Sequence, residues 1–260
     1  MKTMCKGLVF ALLLLVIVLP VPANGLTPEE GLARMQAGND AYREGFFSDA
    51  LEHYLAVYEA GFTSATLCYN IGNAYFKLNR IPESILFYER ALILLPSDED
   101  IQHNLELAQT RIIDKIASVP QLFFIRWWNQ VRNAFGADGW ANLSLILLSS
   151  FFIFLLIYLL SRKPLIKRLA FWPALISLLL FAHALAFAWQ KSQVMQNRPY
   201  AIVFQPTVTA KSSPDAGSVD LFVIHEGTKV NIGDQIGDWV EIKIASGKRG
   251  WMQEKALERI

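Results

Sequence analysis

Two long apolar stretches constrain the fold of this chain more than any other feature. Leu143 to Leu160 covers 18 residues and Leu169 to Trp189 covers 21, and each is long enough to cross a bilayer as a helix. The 260-residue chain is 53% hydrophobic and only 18% charged, an apolar excess over a typical soluble domain. We therefore predict a multi-domain membrane protein with a hairpin of transmembrane helices at 142–160 and 169–189.

The charge around these stretches predicts how the hairpin is oriented. Residues 119–198 carry 8 basic and 1 acidic side chains. Four of the basic residues lie in the connecting loop at 161–168, which the positive-inside rule places in the cytoplasm. Basic charge beside apolar segments, rather than on a folded face, argues against nucleic-acid binding.

The first 25 residues have the order of a secretory signal peptide. Lys2 and Lys6 precede an apolar run from Gly7 to Leu19, and small residues follow. The run is 13 residues long, shorter than the roughly 20 that span hydrocarbon. We therefore predict cleavage after Ala23 or Gly25, with an uncleaved anchor as the alternative. The flanking domains then lie on the extracytoplasmic side of a bacterial cytoplasmic membrane.

Residues 31–98 contain an internal repeat at a spacing of 34. The paired positions are Gly38 and Gly72, Asn39 and Asn73, and Tyr54 and Tyr88. With Ala91 and Pro96, the second unit resembles the tetratricopeptide repeat (TPR), in which small residues let two antiparallel helices approach and large ones fill the gaps. We assign 26–118 to an all-α TPR domain with units 31–64 and 65–98 and a capping helix at 99–117. Cys68 is expected to be a buried thiol.

The TPR resemblance implies a concave peptide-binding face on the first helix of each unit. The residues placed there are Asn39, Tyr42, Arg43, Asn70, Asn73, Phe76 and Lys77, and the capping helix adds Asn104 and Arg111. The resemblance to the carboxylate-clamp subtype is partial, because Met35 and Asp100 stand where that subtype has lysines. The alternative interpretation is that these polar side chains form a solvated face.

Residues 119–141 predict an amphipathic collar at the membrane surface. Arg126, Asn129, Gln130 and Asn133 share one helical face and aromatic residues occupy the rest. Trp127, Trp128 and Trp140 are assigned to the membrane interface, where indole rings are favoured. An aromatic binding motif for a partner helix is the alternative.

His183 is the one ionisable side chain in either predicted span. It lies at about the same depth as Ser149 and Ser150, so we predict a neutral imidazole hydrogen-bonded to one of these serines. A proton relay is the alternative, but neither span holds an Asp, a Glu or a second histidine to pass the proton on.

After a linker at 190–199, residues 200–260 alternate in short strands. The Glu226-Gly227-Thr228 step and the late Gly250-Trp251 strand resemble the bacterial SH3-like barrel, an all-β module that binds peptides or cell-wall material. Trp239 and Trp251 are expected in the core or rim, and His225 as an exposed turn residue.

Nothing in the sequence has the pattern of a catalytic centre or of a metal site. We therefore expect a non-enzymatic protein without a cofactor.

The whole ordered set resembles the BatE family of the Bacteroides aerotolerance operon. It runs from signal peptide and TPR pair through the Arg126-Trp127-Trp128-Asn129 collar and hairpin to the SH3-like domain. The resemblance implies work beside membrane-anchored von Willebrand A-type Bat proteins and a MoxR-type ATPase, in envelope stress or aerotolerance. It brings no catalytic residues. The resulting hypothesis is a membrane scaffold that recruits proteins or peptides; the alternative is peptidoglycan binding or sensing through the barrel.

Overall fold

The computed structural model describes residues 26–116 and 122–260. The predicted signal peptide lies outside these residues. The described chain folds into a helical repeat region, two long apolar helices and a C-terminal antiparallel sheet.

Five helices form the repeat region: α1 (Pro28–Glu44), α2 (Phe47–Glu59), α3 (Ala65–Lys77), α4 (Ile81–Leu94) and α5 (Glu99–Gln109). Helices α1, α3 and α5 are capped at their N-termini by the side chains of Thr27, Ser64 and Asp98. Each side chain accepts a hydrogen bond from a free backbone amide in the first turn. The capping helix was predicted to reach 117, but α5 ends at Gln109. There Lys115 Nζ donates to the Gln109 and Thr110 carbonyls, which closes the helix end.

The repeated glycines let the helices of each unit come into close contact. A Cβ atom added to Gly38 would lie 2.6 Å from the Tyr54 ring, and one added to Gly72 would lie 2.7 Å from the Tyr88 ring. Cys68 is 0% exposed in the same core, as the sequence predicted, and burial raises the pKa of its thiol to about 11.

The apolar segment forms a short helix and a long hairpin: α6 (Phe123–Arg132), α7 (Ala137–Leu160) and α8 (Pro164–Asn197). By length and composition, α7 and α8 are each able to cross a membrane. The predicted loop at 161–168 is wrong, because Pro164 occupies the first turn of α8 and leaves only 161–163 as the connection. Helix α7 begins within the predicted collar, and α8 continues through most of the predicted linker.

The C-terminal residues form one seven-stranded antiparallel sheet, here called the β module. Its strands are β1 (Tyr200–Val203), β2 (Thr207–Lys211), β3 (Asp220–His225), β4 (Lys229–Ile236), β5 (Trp239–Lys243), β6 (Arg249–Gln253) and β7 (Leu257–Arg259), in the order β3-β2-β6-β5-β4-β1-β7. Register shifts in β2 and β4 bend the sheet. Val240, Ile242 and Met252 fill its core, while Trp239 and Trp251 are half-buried on the rim.

The β module packs directly against helix α4. Ile202 and Ile260 of the sheet belong to the same buried cluster as the helices of the repeat region. At Gly227 the backbone passes so close to the helical region that a Cβ atom would lie 2.4 Å from Ile112. The two parts therefore share one hydrophobic contact surface.

Candidate functional site

The first repeat unit holds its polar groove residues in a fixed hydrogen-bonded set. Asn39 Oδ1 accepts from the Tyr54 hydroxyl at 2.9 Å and from Asn70 Nδ2 at 3.1 Å. Burial raises the pKa of Tyr54 to about 12, so its hydroxyl stays a donor at neutral pH. A permanent donor at this position fixes the side-chain amide of Asn39 with its oxygen turned inward.

The second unit repeats the same set one step further along the array. Asn73 Oδ1 accepts from the Tyr88 hydroxyl at 2.7 Å and from Asn104 Nδ2 at 2.9 Å. Burial raises the pKa of Tyr88 as well. Asn104 also places Nδ2 2.8 Å from the Tyr69 hydroxyl, which ties α5 to α3.

The two sets together form a ladder of four asparagines, Asn39, Asn70, Asn73 and Asn104. Asn70 and Asn104 are themselves 34 residues apart, a pairing that the sequence reasoning missed although the same spacing would have revealed it. The ladder identifies α5 as the structural equivalent of the first helix of a third unit. Its asparagines therefore hold the helices in register, a role that the predicted peptide-binding assignment did not include.

A shallow cavity of about 260 Å³ opens on the first part of the ladder. It is lined by Asn39, Tyr42, Arg43, Tyr54, Asn70 and Asn73. No hydrogen bond among the described residues uses the amide NH₂ groups of Asn39 and Asn73, since only their oxygens are engaged. Two donors fixed in orientation are thus left for a ligand.

The cations of the predicted groove lie beside aromatic rings and acidic groups. Arg43 forms an ion pair with Asp40 on its own helix. Lys77 Nζ lies 5.9 Å from the centre of the Phe47 ring, and the Arg111 guanidinium lies 5.3 Å from that of Phe76. Phe76, Lys77, Asn104 and Arg111 do not line the cavity, and Arg111 lies in the turn after α5.

The predicted interface tryptophans divide into two kinds. Trp127 is 61% exposed and Trp128 is 44% exposed, although the Trp128 ring also contacts Phe187 of α8 at 5.2 Å between ring centres. Trp140 is only 7% exposed: its Nε1 donates to the Arg132 carbonyl at 3.0 Å, and its ring packs on Phe187. The interface assignment of Trp140 is therefore wrong, because this side chain joins α6 to the hairpin.

The predicted hydrogen bond between His183 and a serine is also wrong. His183 Nδ1 lies 3.0 Å from the Leu179 carbonyl of its own helix, and Ser149 donates to the Leu145 carbonyl. Ser150 instead meets Ser177, with 3.3 Å between the hydroxyl oxygens. The buried face of α8 runs through Ser177 and Ala184, so His183 lies to one side of it and is exposed.

A second polar cluster joins the repeat region to the β module. Asp114 accepts from the His225 backbone amide at 2.7 Å and the Thr228 hydroxyl at 2.7 Å, and its Oδ1 lies 2.9 Å from His225 Nδ1. His225 is thus a partly buried contact residue, not the exposed turn residue that was predicted. No local pattern in the sequence points to this pairing, because the partners are 111 and 114 residues apart.

Ion pairs extend this contact along α4. Lys229 Nζ lies 2.6 Å from Glu89 Oε2, and Arg90 donates to the Arg259 carbonyl at 2.7 Å. Arg90 also lies 3.3 Å from Glu258. Among residues 26–116 and 122–260, no three His, Cys, Asp or Glu side chains form a metal-binding group.

Comparison with known proteins identifies one repeat. Residues 65–98 match the tetratricopeptide repeat family, which are the bounds predicted for the second unit. A search of curated proteins found no match. The chain thus contains a TPR, a repeat that mediates protein–protein interactions, beside a helical hairpin and an antiparallel sheet.

Replacing Asp114 with asparagine should loosen the β module from the repeat region. Partial burial acts to raise the pKa of Asp114, but its hydrogen bonds to His225 and Thr228 outweigh this and lower the pKa below its usual 3.8. The carboxylate therefore stabilises the contact above that pH, and the stabilisation is lost as pH falls through the lowered pKa. We expect Asp114→Asn to reduce the free energy of local opening by about 1–3 kcal/mol.

Hydrogen exchange of β3 and β4 in the detergent-solubilised full chain measures this opening. Asp220→Asn is the matched control, because it removes an exposed carboxylate that pairs with Lys211 within the β module and does not contact the repeat region. Equal protection in both variants at neutral pH would contradict the proposed role of Asp114.

Proposed function

We propose that this protein is a non-enzymatic, membrane-anchored scaffold that recruits protein partners through the concave face of its TPR region. The observation that carries the proposal is the asparagine ladder, which runs through the matched repeat and leaves the NH₂ groups of Asn39 and Asn73 without a hydrogen bond among the described residues. Two amide donors at repeat spacing suit the carbonyl groups of an extended peptide backbone. Because backbone carbonyls carry no sequence information, the ladder provides affinity and the surrounding side chains provide selectivity.

Charge and aromatic contacts around the ladder indicate the kind of peptide. Arg43 and Lys77 are both exposed on this face, and Lys77 lies over Phe47 next to Tyr42. An exposed cation beside aromatic rings favours an acidic side chain flanked by an apolar one. We therefore propose that the partner segment is acidic and extended.

The β module is proposed to be an SH3-like domain, on the basis of its bent antiparallel sheet and its Glu226-Gly227-Thr228 step. In this chain the Glu226-Gly227-Thr228 sequence is part of the contact with the repeat region. Gly227 lies against Ile112, and Thr228 donates to Asp114. We propose that the module supports the TPR face and presents its opposite side to further partners.

The order of the modules supports a role of the kind proposed for the BatE family, beside von Willebrand A-type membrane proteins in envelope stress or aerotolerance. In the proposed topology, α7 and α8 cross the cytoplasmic membrane, and the repeat region and β module both lie on the extracytoplasmic side. The contact between those two parts is consistent with this arrangement, since contacting parts must lie on the same side.

Photo-cross-linking in cells tests the proposed groove directly. Benzoylphenylalanine at Tyr42, which lines the groove cavity, should form an adduct with a protein partner, while the same residue at exposed Glu52 on α2 should not. Lys77→Glu should reduce the Tyr42 adduct about tenfold, because it reverses a charge that the partner meets. Lys77→Arg is the matched control and should preserve it. Absence of the Tyr42 adduct would support the solvated-face interpretation, and an adduct unaffected by Lys77→Glu would contradict the proposed role of Lys77.

Cysteine labelling in intact spheroplasts tests the topology. Single cysteines at Glu52 and at Lys248, both exposed, should react with a membrane-impermeant maleimide. A cysteine at Lys163, in the turn of the hairpin, should react only after permeabilisation. The native Cys68 can stay in place, because a buried thiol with a pKa of about 11 reacts slowly. Labelling of Lys163→Cys in intact spheroplasts would contradict this topology and indicate the inverted one.

A further inference from the structure

A second cavity lies where all parts of the described chain meet. It encloses about 340 Å³ between α4, the end of α6, the end of α8 and the β module. This volume falls within the range of small-molecule sites. The cavity is separate from the groove on the asparagine ladder and shares no lining residue with it.

The charges that line this cavity leave an excess of two positive groups. Its acidic lining residue, Glu89, is held by Lys229 at 2.6 Å, so that pair is neutral overall. Arg132 and Lys191 line the same cavity, and neither forms an ion pair with a carboxylate in the described parts of the chain. Lys191 Nζ instead donates to Asn133 Oδ1 at 2.7 Å. Two cations without a counter-ion, in a partly enclosed space, favour an anion.

The local structure fixes the backbone at Arg132 and the ammonium group of Lys191. The Arg132 carbonyl accepts from Trp140 Nε1, which fixes the end of α6 against the hairpin. The Asn133 side chain then connects that end to Lys191 on α8. The Lys191 ammonium group and the backbone that carries Arg132 are therefore positioned before a ligand arrives, which lowers the entropic cost of binding.

The position of the cavity along the hairpin indicates where its ligand comes from. Lys191 lies two residues beyond Trp189, which ends the predicted second span and is 65% exposed. Exposed Trp127 and Trp128 on α6 are on the same side of the hairpin. Tryptophans concentrate at the level of lipid headgroups, so the cavity opens at that level if the hairpin spans a bilayer.

We propose that Arg132 and Lys191 bind a phosphate oxyanion, supplied by the headgroup of an anionic phospholipid. Guanidinium and ammonium groups are the usual partners of phosphate oxygens, and basic pockets beside transmembrane helices hold acidic headgroups. The cavity walls come from α4, α6, α8 and the β module, so the bound headgroup contacts every part of the assembly. Anionic lipid therefore stabilises the docked arrangement of the β module on the hairpin.

Lipid binding to the full chain in detergent, followed by native mass spectrometry, tests this proposal. The probes are phosphatidylglycerol, and phosphatidylcholine with the same acyl chains. Wild type should retain one phosphatidylglycerol in preference to phosphatidylcholine, and Arg132→Gln/Lys191→Gln should bind it at least about tenfold more weakly. Arg126→Gln/Arg198→Gln is the matched control, because it removes two charges from neighbouring positions that do not line the cavity.

The charge-retaining variant Arg132→Lys/Lys191→Arg guards against simple misfolding, and it should keep most of the affinity. Melting temperatures of all variants are measured without lipid. Equal losses in the cavity variant and in the Arg126/Arg198 control would overturn the proposal. Inorganic phosphate is the second probe: binding of phosphate at Arg132 and Lys191 without retention of phosphatidylglycerol would overturn the lipid assignment and make free phosphate the ligand.

Discussion

Helix α4 is buried on all sides, and the arrangement of the other parts depends on this. Every residue from Ser84 to Glu89 is buried, as is Ala91, so no single neighbouring helix could cover it. A helix that is buried all round needs packing partners on opposite faces. Helices α3 and α5 cover one part, and β1 with the β module's last residues covers another.

Burial of charged groups makes the contact with α4 specific as well as apolar. Glu89 is 7% exposed and would be costly to bury without its partner Lys229. Arg90 bonds to the end of the β module in the same way, and Asp114 adds three further hydrogen bonds. An apolar contact alone would tolerate many docking angles, whereas these polar pairs are satisfied in one arrangement.

The asparagine ladder gives the repeat region its register and also leaves its binding groups oriented. Each inner oxygen of Asn39 and Asn73 is used twice within the fold, which turns each NH₂ group toward the concave face. Structural and binding uses therefore coexist in one side chain. A substitution at Asn73 would affect both, so Lys77, which takes part in no ladder contact, is the better probe of binding.

The sequence predicts what depends on local spacing and misses what depends on distant contacts. The 34-residue period predicts the helices of both units and small residues where those helices pack, as the structure shows at Gly72, because each repeat is one local unit. Apolar length likewise predicts the two hairpin helices. The pairing of Asp114 with His225 could not be predicted, because only the docking of the β module brings them together.

Two predictions about the hairpin were wrong for the same reason, because both depend on how one helix packs against another. Two residues at equal depth in a hairpin meet only if the rotation of each helix about its axis turns them toward each other. The sequence does not give this rotation, so the predicted serine partner of His183 was wrong, and Ser150 contacts Ser177 instead. The prediction that Trp140 faces the membrane interface was wrong because the pattern of one helix does not show what packs against it. In the structure, Phe187 of α8 covers the Trp140 ring.

The buried core around α4 and its polar pairs hold the repeat region and the β module together as one rigid unit beside the hairpin. Electron–electron spin distances between labels at Glu52 and Lys248, in the full chain in lipid nanodiscs, test it most directly. Labels at Glu52 and Asn79, both within the repeat region, give the reference width. A rigid unit should give a single distance distribution about as narrow as that reference, and a broad or multiple distribution would contradict the rigid contact.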